Sequence, residues 1–100
     1  MVTLSVRDLI SDFSNNNASG EILFQEIKNL FENQESVVVS FQGISEISSS
    51  FVNSAFINLL EEYDFNYIRK NLMFSNSTKQ INSLIKDRFD FEIKKTLVSV

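Results

Sequence analysis

The chain has 100 residues, enough for one modest core, and its hydrophobic fraction of 43% argues against disorder along its length. It contains no cysteine and no histidine, which excludes disulfides, thiolate chemistry, Cys/His zinc sites and a Ser-His-Asp triad. The net charge of −4 is unevenly spread: residues 1–65 have only Arg7 and Lys28 as bases, whereas residues 66–100 carry Arg69, Lys70, Lys79, Lys86, Arg88, Lys94 and Lys95 against Asp87, Asp90 and Glu92. The acidic first part argues against general nucleic-acid binding. No stretch approaches the ~20 apolar residues of a membrane span. The start, MVTLSVRDLI, lacks a basic region followed by an apolar run, so a cytoplasmic location is the expectation. The only glycines are Gly20 and Gly43, which leaves no Gly-rich phosphate loop. No cofactor or metal site is expected.

Val2, Leu4 and Val6 alternate with Thr3 and Ser5 and predict a short half-buried strand. Leu9, Ile10 and Phe13 follow at helical spacing, as one turn. Ser14–Gly20 reads as a loop, because Asn and Ser compete with regular backbone bonding. Glu21–Asn33 reads as a helix with Leu23, Phe24, Ile27, Leu30 and Phe31 on one stripe and Ser19 as its cap. Val37–Phe41 is a β-branched apolar run suited to a central strand covered on both sides. A polar loop with Gly43 as its turn residue leads to Ser48, Ser49 and Ser50.

The next helix is the clearest element, with Val52, Ala55, Phe56, Leu59, Leu60 and Tyr63 on one face. The opposite face carries Asn53, Ser54, Ile57, Asn58, Glu61 and Glu62. Leu72–Phe74 reads as another buried strand. Ser77 and Gln80 have capping-box spacing ahead of a helix whose stripe is Ile81, Leu84, Ile85, Arg88 and Phe89. Phe91–Val100 reads as a last edge strand, with Lys94 and Lys95 discouraging edge-to-edge pairing. The order β, α, β, α, β, α, β predicts an α/β fold over residues 1–100, with about four mostly parallel strands and about three helices packed against them.

The segment Phe41-Gln-Gly-Ile-Ser-Glu-Ile-Ser-Ser-Ser-Phe-Val-Asn resembles the strand–loop–helix signature of bacterial STAS-like proteins. These are relatives of the anti-sigma factor antagonists, whose domain is the STAS domain. The resemblance runs from about Gly20 to Phe89 and includes Phe74-Ser-Asn76 before the last helix. It implies a single STAS-like domain. In the antagonists the matching segment reads apolar–Asp–Ser–Ser–Gly–Leu, and a histidine-kinase-like ATPase phosphorylates the second serine. Carried over, the Asp falls on Ser48, the serine pair on Ser49 and Ser50, and the Gly on Phe51. The resemblance thus implies Ser50, with Ser49 beside it, as the phosphorylation candidate.

Physical chemistry supports two uses for the serines. A helix start leaves backbone N–H groups without intrahelical partners, and the hydroxyl of Ser48 or Ser49 accepts from one of them. A phosphate on Ser50 would sit at the positive end of the helix dipole and add nearly two negative charges beside Glu46, Glu61 and Glu62. The expected function is a non-catalytic signalling or regulatory module. Its partner surface would be Ser48, Ser49, Ser50, Asn53, Ser54, Ile57 and Asn58, with Ile57 as the apolar anchor, and a histidine-kinase-like ATPase is the implied partner. The competing expectation is a small-molecule or nucleotide sensor using the Ser48–Ser50 helix start. No catalytic residue is expected, since a hydrolase or transferase would have to work without His or Cys. A homodimer is compatible with the sequence.

Overall fold

Three short parallel strands, β1 (Val2–Ser5), β2 (Val37–Ser40) and β3 (Leu72–Ser75), form a sheet in the order β1-β2-β3. The structure is a computed structural model that describes residues 1–10 and 17–98, and side chains within these up to residue 94. The register Val2↔Val37↔Leu72 and Leu4↔Val39↔Phe74 aligns one apolar face; Thr3↔Val38↔Met73 lies on the other. Sequential order in a parallel sheet, with right-handed crossovers, sends both connections over the same face. The apolar face accordingly holds the core. Val37 and Val39 are fully buried there and Leu72 nearly so, whereas Thr3 is exposed and Val38 and Met73 are half-buried.

Helix α1 (Val6–Leu9) is a single turn directly after β1. Phe13, expected in that turn, lies outside the described residues. Helix α2 (Asn17–Glu32) begins earlier than the sequence predicts, and Ser19 lies inside it, buried, not at its cap. Burial explains the shift: Ser19 is buried, and Gly20 forms the close contact of α2 with helix α3 (Ser49–Ala55). A Cβ on Gly20 would lie 2.6 Å from Ser54 Cβ and 2.8 Å from the Phe51 carbonyl oxygen, so only glycine admits this approach. Helix α2 ends with Gln34 in the left-handed region (φ 62°), the Glu35 N–H donating to the Leu30 carbonyl and that of Gln34 to Phe31.

The long helix expected after the serines is broken. Helix α3 stops at Ala55, and Ile57–Glu61 winds as a 3-10 turn. No Gly or Pro marks this break. It falls at Phe56, which is fully buried and meets the rings of Phe41, Phe51 and Phe74 at centroid distances of 5.2–6.4 Å. Helix α4 (Phe65–Asn71) follows, capped by Asp64, whose Oδ1 accepts from the Tyr67 N–H at 2.8 Å. Tyr63 and Tyr67 stack on each other and both meet Phe31 edge-on, which joins this segment to α2.

Helix α5 (Lys79–Val98) takes the place of the expected last strand as far as residue 98; residues 99 and 100 lie outside the described residues. Ile81, Ile85, Phe89 and Ile93 recur at four-residue steps, and Lys86–Asp90 and Arg88–Glu92 are i,i+4 ion pairs at 3.2 Å. These features carry helical periodicity through the segment read as β. Its cap also differs from the Ser77/Gln80 box. Thr78 Oγ1 accepts from the Ile81 N–H, while Ser77 bonds Asn82 and Gln80 is used elsewhere. The described residues therefore form a mixed α/β fold with three strands and five helices, not four strands and three helices.

Candidate functional site

The serine segment is held from both sides. Ser48 has extended backbone (φ −97°, ψ 162°), and its Oγ accepts from the Phe51 N–H at 3.1 Å, which makes it the N-cap of α3. The preceding loop is anchored by the buried side chains of Ile44 and Ile47 and clamped by the start of α5. Gln80 pairs with the Ile47 backbone as a strand would: the Ile47 N–H donates to Gln80 Oε1 (3.1 Å) and Gln80 Nε2 donates to the Ile47 carbonyl (3.0 Å). Thr78 Oγ1 donates to the Ser45 carbonyl at 2.7 Å. Each bond satisfies a loop backbone group that no ladder or helix serves.

On this base Ser49 and Ser50 are exposed in the first turn of α3, while Phe51 is fully buried. Phe51 therefore adds no bulk beside Ser50, although it stands where the antagonists have Gly. Ser48 stands where they have Asp and performs the N-cap role, for which Asp and Ser are comparably suited.

The face predicted to bind a partner is divided. Ser54 is not on it: its side chain is turned to α2, nearly buried, and its Oγ donates to Asn17 Oδ1 at 3.0 Å. Tight α2–α3 packing across Gly20 is the cause. Asn53, Ile57 and Asn58 do come together, with Leu60 and Glu61, along a cavity of about 420 Å³ whose far wall is Arg88 and Glu92 of α5. Ile57 is half-buried in the 3-10 turn and packs against the core, so it is less of a protruding anchor than the unbroken helix predicts. Ser49 and Ser50 do not line this cavity.

Arg88, expected on the buried stripe of the last helix, lines this cavity. Its Nε donates to Asn53 Oδ1 at 2.8 Å, its Nη2 pairs with Glu92 at 3.2 Å, and its guanidinium lies 5.2 Å from the exposed ring of Phe91. An arginine interrupting an apolar stripe was the available signal. On the α2 flank of the 3-10 turn, Lys28 pairs with Glu62 at 3.1 Å, and chiefly that hydrogen bond holds its ammonium above the ordinary lysine value.

A second polar cavity, about 470 Å³, lies after the carboxyl ends of β1 and β2 and is lined by Ser5, Arg7, Asp8, Gln42 and Gly43. Gly43 is left-handed (φ 82°), and Arg7 lies where its Cβ would project. No group of three or more Asp or Glu side chains among the described residues is placed to hold a metal ion. No helix among them is long and apolar enough to cross a membrane.

Residues 19–82 match the family described as STAS-like domain of unknown function (DUF4325). The chain belongs to this family. The match begins at the buried Ser19–Gly20 contact and ends just inside α5, so it takes in β2, the serine helix, β3 and the Gln80 clamp. No curated protein and no solved structure matches the chain.

Proposed function

We propose that this STAS-like domain is a non-catalytic regulatory module. It binds a partner protein through the exposed start of α3 and the adjoining cavity of Asn53, Ile57, Asn58 and Arg88, and phosphorylation of Ser50 switches that binding. The observation that carries the reading is the exposure of Ser49 and Ser50 on a helix start that is capped by Ser48 and clamped by Gln80. A hydroxyl on a fixed, exposed first turn is accessible to a kinase. The phosphate it would carry lies near the positive helix end and leaves the cap bond intact. The new charge adds to a surface on which Glu46 and Glu61 are already exposed, so a partner that accepts the neutral surface meets a more anionic one after modification. A histidine-kinase-like ATPase is the partner class that the resemblance implies.

Labelled ATP and a histidine-kinase-like ATPase from the same genome should label the wild-type chain and not Ser50→Ala. Label retained on Ser50→Ala overturns the assignment to Ser50, and no label on either chain overturns the switch. In the same preparation, Asn58→Lys should weaken capture of the ATPase if the cavity beside α3 forms part of the surface.

The polar cavity of Ser5, Arg7, Asp8, Gln42 and Gly43 favours a second reading, a small-molecule sensor, because ligands of open α/β sheets bind beyond the carboxyl ends of the strands. That reading moves the sensor site away from Ser48–Ser50. A rise in melting temperature with a nucleotide or small-anion panel, abolished by Arg7→Gln, would favour it.

A further inference from the structure

Where α4, β3 and α5 meet, the two helices and the strand leave a cavity of about 150 Å³. Its apolar lining is Phe65 and Ile68 of α4, Leu72 and Phe74 of β3, and Ile85 and Phe89 of α5. Protein interiors are close-packed, and voids larger than a water molecule are few. Phe65 and Phe74 are only half-buried, and Arg69 and Lys86 are exposed, so this cavity reaches solvent. Arg69, Lys86 and Asp90 are the charged residues that line it. They are not equivalent. Lys86 Nζ and Asp90 Oδ2 pair with each other at 3.2 Å within α5. Arg69 has no ion pair among the described residues. Lys70 stands beside it in the last turn of α4 but does not line the cavity. Either cation suits the negative end of the helix dipole, and only Arg69 also borders an apolar void.

We propose that this cavity binds a small aromatic carboxylate, one ring carrying its carboxylate on a short arm. The volume sets the size: a cavity of about 150 Å³ with walls of Leu, Ile and Phe holds a single benzene-sized ring. The lining sets the class. Three of its six apolar residues are phenylalanines, and aromatic rings gain from offset or edge-on contact with a further ring beyond the area they bury. Phe65 and Phe89 already lie 5.5 Å apart with their planes tilted by 49°. The charges select an anion. Lys86 matches Asp90, which leaves the Arg69 guanidinium as the unmatched charge, and a guanidinium takes a carboxylate through two parallel N–H donors. The carboxylate stays with the exposed Arg69, so its charge remains in water while the ring is buried. Apolar walls with one orienting polar group are the usual build of a small-ligand site. The cavity shares no residue with that of Arg88 or that of Arg7 and does not include Ser50, so the site stands apart from both readings above.

Phenylacetate is the probe, followed by NMR of the methyl groups of Ile68, Leu72 and Ile85. Their resonances should shift saturably, with a dissociation constant of about 1 mM or below, the affinity that so small a ligand can reach. Uncharged phenylacetamide should bind at least about fivefold more weakly, because it cannot form the charge-assisted pair. Arg69→Gln should weaken phenylacetate at least about fivefold, and Lys70→Gln by less than about twofold, since a nearby surface cation contributes little. Ile85→Phe places a ring of the protein's own in the cavity and should abolish the shifts at Ile68 and Leu72. Absence of saturation up to about 10 mM overturns the proposal. So does phenylacetamide binding as tightly as phenylacetate, an equal loss for Arg69→Gln and Lys70→Gln, or binding that survives Ile85→Phe.

Discussion

The seam between α2 and α3 and the seam between α4 and α5 cover the same face of the sheet, yet one is closed and the other is not. At the first, Gly20 meets Ser54 and the α3 backbone at Phe51 and Ala55, and the helices approach until no Cβ fits at position 20. At the second, Phe65, Ile85 and Phe89 meet over Leu72 and leave a groove of about 150 Å³. The closed seam is the one that holds a glycine and a serine, and the open seam is lined by apolar side chains, so apolarity does not close a seam. Side-chain size at the contact does: small residues let helix backbones approach, while large rings hold helices apart and need a further layer to fill the space between them.

The sharpest way to break this comparison is to enlarge one side chain in each seam. Gly20→Ala should cost about 2 kcal/mol in urea denaturation, because overpacking a closed contact costs about 1–3 kcal/mol. At an unconstrained helical position the same change stabilises by about 1 kcal/mol, so the sign alone tests the closed seam. Ser48→Ala should cost about 1 kcal/mol, the usual worth of an N-cap, and tests whether the α3 start depends on that hydroxyl as well as on the seam below it. The open seam should tolerate enlargement. Ile85→Phe should change stability by less than about 1.5 kcal/mol, because the groove has room for the added atoms. A large loss there would mean that the groove is closed in solution.

The legible parts of the chain are those where local pattern and tertiary packing agree. The run Val37–Ser40 is β-branched and apolar, and it is the central strand. Val52, Ala55, Phe56 and Leu59 recur at helical spacing, and all four are buried. Residue type alone offers Ser48 or Ser49 as the cap, and the role falls to Ser48. What escaped was set by contacts distant in sequence. The break at Phe56 comes from its ring lying among Phe41, Phe51 and Phe74, and no local residue announces it. Ser54 faces α2 because Gly20, far back in the chain, allows it. Gln80 serves Ile47, not its own helix. Two further features do carry a local signal. Asp64 three residues before Tyr67 is an N-cap pattern for α4, and the i,i+4 pairs Lys86–Asp90 and Arg88–Glu92 mark residues 86–92 as helix, not strand.

The sheet register also bears on the order of folding. Residue 2 pairs with 37, and residue 37 pairs with 72, so both strand contacts span the same long stretch of chain. No strand can zip to its neighbour through a hairpin, and each pairing waits for a large loop to close. Helices, which close their bonds locally, can form long before either contact. During synthesis β2 has β1 available at once, but its other edge stays open until residues 72–75 have emerged. A ribosome stalled between those points would hold a two-stranded intermediate with the uncharged edge of Val37–Ser40 exposed, the stage at which this chain is most open to aggregation.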